Sequence, residues 1–168
     1  MENNVSFFKF SLTSGLTVGA LAVIVTLLER IDGLAGIVSI GRFILLIAMT
    51  MYFTRMYRDR YNGGYITGGR AFSMALVILV CVGVIAAIYT YIKASAIPAD
   101  TYNEMIEIMK DTYEQNGINL TDENWNDVLS MIPYATALMT FIGHVVLGAM
   151  VGGIAAMKLR RENVNSEL

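Results

Sequence analysis

The chain has 168 residues, 55% of them hydrophobic, and a mean hydropathy of +0.56. Only 15% are charged, with a net charge of −2, and the charges leave four long stretches almost empty. One small core has too little volume to hide so much apolar surface from water, so a soluble globule is excluded and lipid is the expected solvent.

A helix needs about 20 apolar residues to cross roughly 30 Å of hydrocarbon. Residues 10–28 form the first such stretch, which stops at Glu29 and Arg30. Its leader, Met1-Glu2-Asn3-Asn4, has no basic residue, the apolar run exceeds a signal core, and no Ala-x-Ala site follows. The segment is therefore expected to be retained. Ser11, Gly15 and Gly19 recur at four-residue spacing, which lets a neighbouring backbone come close.

The second stretch, residues 33–57, stops at Arg58-Asp59-Arg60 and contains Arg42. Twelve residues separate Arg42 from Arg55, roughly 18 Å of helix and too short for the hydrocarbon. Either Arg42 reaches back to the headgroup boundary, or it is embedded and must face the bundle and find acceptors. Glu29 and Asp32 are the carboxylates nearest in sequence. The following loop, Tyr61 to Arg70, is glycine-rich but lacks the Gly-Lys-Ser/Thr ending of a nucleotide phosphate loop. It reads as a tight turn at the headgroup layer, with Arg58, Arg60 and Arg70 on lipid phosphates.

The third stretch, residues 71–92, ends at Lys93 and Pro98 and holds Cys81, the single cysteine, as a small packing residue. Residues 98–132 then carry eight acidic side chains against Lys110 alone. Tyr102, Met105, Ile106, Met109 and Tyr113 recur at spacings of three and four, which predicts an amphipathic helix ending near Asn116-Gly117. A second short helix is expected from Asp122, capped by Thr121, with Trp125, Val128, Leu129 and Ile132 on its apolar side. The two make a hairpin capping the mouth of the bundle, and Trp125 suits an interfacial anchor.

The fourth stretch, residues 133–157, opens on Pro133, a favoured first-turn residue, and stops at Lys158-Leu159-Arg160-Arg161. His144, the single histidine, falls near its middle. Alone it cannot supply the ligands of a metal site, and hydrogen bonding to a neighbouring helix is its expected role. Gly148, Gly152 and Ala156 repeat the four-residue spacing. They serve either packing within the bundle, where the two rows could face each other, or a homodimer through Gly148 and Gly152.

Lys9, Arg55, Arg58, Arg60, Arg70, Lys158, Arg160 and Arg161 all flank one side of a four-span arrangement. By the positive-inside rule both termini are cytoplasmic and residues 98–132 extracytoplasmic. No carboxylate lies inside a span, which argues against a cation-coupled transporter. No nucleophile–base pair, redox motif, cofactor signature or nucleic-acid signature occurs.

Tyr57-Arg58-Asp59-Arg60, Gly63-Gly64-Tyr65-Ile66-Thr67 and Ala71-Phe72 resemble a widespread family of bacterial four-span membrane proteins, domain-of-unknown-function family 4199. Pro98, the acidic loop and the basic Lys158-Leu159-Arg160-Arg161 ending are similar to it too. The resemblance implies four spans in the inner membrane and implies no activity.

The expectation is an all-α polytopic membrane protein, one membrane domain over residues 1–168, with four transmembrane helices and an amphipathic helical hairpin. A non-catalytic interaction or accessory subunit is the leading reading, with the bilayer and another membrane protein or a second copy as partners. The alternative is a small carrier or anionic-lipid-handling protein with a polar pocket near Arg42 and His144. Arg42, His144, Arg58, Arg60, Arg70 and Trp125 are the candidate contact residues, with no catalytic, cofactor or metal site.

Overall fold

The computed structural model describes residues 6–28, 35–96, 103–117 and 122–161. Among them run five α-helices: α1 (Phe7–Leu28), α2 (Ala35–Met56), α3 (Gly68–Ser95), α4 (Asn103–Gln115) and α5 (Asp122–Leu159). A π-helical segment, Tyr57–Tyr61, continues α2 directly. The helices α1, α2 with its π segment, α3 and α5 are each long and apolar enough to cross a membrane. The protein is thus an all-α polytopic membrane protein. Its basic end holds the start of α1, the α2–α3 turn and the finish of α5; its hairpin end holds α4.

The third span is the axis of the bundle. It packs against α5 on one side and α1 on another, and Met74, Ile78, Leu79 and Val82 are fully buried along it. Small residues make this close approach possible. A Cβ on Gly15 would lie 2.6 Å from the Cys81 Cβ, and one on Gly152 would lie 3.0 Å from the Phe72 carbonyl oxygen. Both glycine rows therefore face α3, from different helices, and do not face each other. Gly148 is occupied in the same way by Leu76 and Leu79. Both rows thus serve packing within the bundle, against α3 and not against each other, and α3 covers the surface expected for a homodimer through Gly148 and Gly152.

The third span extends beyond its expected bounds of 71–92, to Gly68–Ser95. The hydroxyl of Thr67 accepts the Arg70 N–H at 3.3 Å, so α3 starts at Gly68 and not at Ala71.

The main departure is at Pro133, expected to begin a separate helix. It lies inside α5, which runs unbroken for 38 residues. A proline forfeits one backbone hydrogen bond, whereas ending the helix would leave several groups to satisfy in surroundings poor in water. At 1.5 Å per residue α5 extends about 57 Å, well beyond roughly 30 Å of hydrocarbon.

The hairpin forms on the overhang of α5. The Tyr113 ring of α4 meets Trp125 edge-on at 5.8 Å, and the Lys110 ammonium stands 5.6 Å from the Trp125 ring centre. Trp125, expected as an interfacial anchor, is 6% exposed, and its ring packs within the hairpin. Gly117, at φ +76°, turns the chain after α4 where a side chain would be strained. The expected caps at Asp100, Thr101 and Thr121 lie outside the described residues.

Candidate functional site: a groove between α2 and α5

The second span is the least enclosed of the four. Leu46, Thr50 and Thr54 form its buried row, and all three lie in the half nearer the basic end. Towards the hairpin end, Gly36 and Gly41 have open space where a side chain would be. A groove of about 320 Å³ lies between this part of α2 and α5. Ser39, Arg42, Thr140 and His144 supply its polar groups, and Phe43, Leu46, Met139 and Leu147 its apolar walls. Each helix contributes positions three and four apart, which is one helical face. Nothing lies within 4 Å of where a Cβ on Gly143 would stand, so the groove keeps its depth there.

Two polar side chains characterise this groove. Arg42 reaches across to α1, where its Nη1 donates to the Thr26 hydroxyl at 3.1 Å. Thr26 in turn donates to the Ala22 carbonyl at 2.8 Å. The charge is thus tied to a second helix, two residues before α1 ends. The predicted partners Glu29 and Asp32 lie outside the described residues. His144 Nδ1–H donates to the Thr140 carbonyl at 2.8 Å. Its acceptor is therefore on its own helix, not on a neighbour as expected. With Nδ1 as donor, a neutral ring offers Nε2 as an acceptor. A Cβ on Gly83 would meet the His144 Cβ at 2.9 Å, so α3 holds the base of this side chain against the bundle.

One turn of α2 beyond Leu46, the Thr50 hydroxyl is buried and makes no hydrogen bond among the described residues. Its row on α2, Arg42–Leu46–Thr50–Thr54, advances four residues at a time. Polar groups therefore line the inward face of an otherwise apolar helix.

The basic end is closed by a clasp. Arg58 is 7% exposed; its Nε and Nη2 donate to the two Asp59 carboxylate oxygens at 2.6 and 3.1 Å. Its Nη1 reaches the Leu159 carbonyl at 3.3 Å, one of the carbonyls a helix leaves without an internal partner at its C-terminus. Gly63 and Gly64, at φ +63° and +86°, fold the chain back. Ile66 and Arg161 then exchange two backbone hydrogen bonds of 2.9 Å as an antiparallel bridge. Beneath this, the Phe10 ring packs on Tyr57 at 5.3 Å and Tyr61 at 5.2 Å.

These are the segments whose pattern resembles a known family: the Tyr-Arg-Asp-Arg run, the paired glycines and the basic ending. The family model described as protein of unknown function (DUF4199) matches residues 9–161. The chain belongs to the DUF4199 family. No curated protein and no solved structure matches it.

In this DUF4199 protein the expected contact residues divide among three places. Arg42 and His144 share the groove. Arg58 is buried in the clasp, while Arg60 and Arg70 are exposed at the basic end. Trp125 is enclosed by the hairpin. Sequence reasoning missed Thr26, because a threonine in a span carries no signal of its own. It also missed the pairing of Ile66 with Arg161, which links backbone groups 95 residues apart.

Proposed function

We propose that this protein is a non-catalytic holder or carrier of an anionic amphiphile, which enters the α2–α5 groove sideways from the bilayer. The observation that supports it is the sharing of one groove by Arg42 and His144. A guanidinium beside a hydroxyl and an imidazole suits an anionic head. Phe43, Leu46, Met139 and Leu147 suit the apolar chain that follows it. No carboxylate among the described residues lines the groove to repel such a ligand.

A photoactivatable anionic lipid in nanodiscs tests this reading. Crosslinks are expected at Phe43 and Met139 in the native protein. Gly143→Trp fills the groove at a position facing open space, so labelling there is expected to fall about tenfold with the melting temperature kept. Equal labelling of the variant would sink the proposal.

The accessory-subunit reading has its own support in the hairpin. Glu107, Asp111 and Glu114 are exposed on α4, clear of the closely packed spans, where a partner of opposite charge finds them accessible. Capture from native membranes with the intact protein and with residues 103–117 deleted separates this role from lipid holding.

The distribution of Lys and Arg supports insertion in a bacterial inner membrane with the basic end in the cytoplasm and the hairpin outside.

A further inference from the structure

We propose a second anion site at the basic end, where Arg55 and Arg60 take the phosphate of a phosphate ester whose apolar part lies along Tyr52 and Met56. It is independent of the α2–α5 groove. A cleft of about 140 Å³ is lined by Tyr52, Arg55, Met56, Asp59 and Arg60. These positions lie on successive turns of α2 and its π segment. Tyr52 and Met56 form the part nearer the apolar stretch, and the arginines stand at its end. That is the level at which hydrocarbon gives way to headgroups, where tyrosine and arginine are both favoured.

The charges here do not cancel. Asp59 is held bidentately by Arg58 and is also touched by Arg55 at 3.4 Å. With Arg55, Arg58 and Arg60 against one carboxylate, three minus one leaves a net charge of +2. Arg58 is buried and turned to the end of α5, so the surplus belongs to the other two. The Arg55 side chain is 69% exposed. Arg60 is exposed and makes no hydrogen bond or ion pair among the described residues. Two guanidinium forks beside one cleft match a phosphate, which offers several oxygens to planar donor pairs. Arg42 is thirteen residues from Arg55 along α2, roughly 20 Å, so the two sites serve opposite halves of the bilayer.

The phosphate ester is either a phospholipid head or a water-soluble ester. The full chain in phosphatidylcholine nanodiscs doped with phosphatidylglycerol, analysed by native mass spectrometry, measures the first. Displacement of that lipid by glycerol 3-phosphate in detergent measures the second. Retention of phosphatidylglycerol over phosphatidylcholine is expected, falling about tenfold in the double variant Arg55→Gln, Arg60→Gln. Arg55→Lys with Arg60→Lys keeps the charge but not the forks, so it is expected to fall between. In an Arg42→Gln background, which weakens the groove's own anion binding, the same two glutamine substitutions are expected to give a further fall of about tenfold, which separates the site from the groove. Displacement by glycerol 3-phosphate assigns the site to esters in general, and its failure assigns it to lipid. Arg58 still pairs Asp59 in the glutamine variant, and an unaltered melting temperature checks that it folds; if it does not, the lysine pair carries the test. Equal retention of the two lipids by the native protein, or undiminished phosphatidylglycerol binding in the arginine variants, overturns the proposal.

Discussion

Arg42 and Thr26 show how one hydrogen bond decides where a charge sits in a membrane. The guanidinium is too polar for lipid and too far along α2 to be ignored, so a partner on another helix fixes it. Thr26→Val keeps the shape and removes the acceptor. The expected cost is about 1 kcal/mol, read from denaturant unfolding in mixed micelles, together with weaker anionic-lipid labelling in the groove. No change in either measurement would mean that the bond contributes nothing. At the basic end, Arg58→Gln removes the donor to Leu159 and leaves the last turn of α5 unclasped. About 2 kcal/mol of stability is expected to be lost by the same assay. The choice between a boundary and an embedded Arg42 stayed open in the sequence, and only the places of Arg42 and His144 along their helices were legible from residue counts, because a helix rises uniformly. Their sharing of a groove was not, since that depends on α2 and α5 lying side by side although 101 residues separate Arg42 from His144.

Among the elements, two glycines of one helix have opposite roles. Gly152 faces the backbone of Phe72, where a Cβ would come within 3.0 Å of the carbonyl oxygen. Gly143 faces open space nine residues earlier on the same helix. Gly152→Leu is expected to cost about 2–3 kcal/mol by forcing α3 and α5 apart. Gly143→Ala is expected to gain up to about 1 kcal/mol through helix propensity. Thermal unfolding of the pair checks the contrast, and similar losses in both would contradict this packing. The four spans were legible because hydrocarbon imposes length and composition on any helix crossing it. The continuity of α5 was not. Pro133 is a good helix opener in isolation, and nothing local distinguishes an opener from a proline carried within a longer helix. The four-residue rows announced close approach correctly, but spacing says nothing about which helix approaches.

For the whole molecule, the alternation of the spans puts the α2–α3 turn and the hairpin at opposite ends. In a Cys81→Ala background, Glu114→Cys is expected to react with a membrane-impermeant maleimide in intact cells. Tyr65→Cys is expected to react only after lysis. Reaction of both from the same side would contradict a four-span crossing, and the reverse pattern would invert the proposed orientation. The unbroken course of α5 has a mechanical consequence. One end of this helix carries the Tyr113–Trp125 contact, and the other carries the Leu159 carbonyl held by Arg58. Anything that tilts or pulls the hairpin therefore acts on one continuous lever. The torque arrives at the far side of the bilayer, beside the arginines of the second span, less whatever the helix yields at Pro133, where one backbone hydrogen bond is missing.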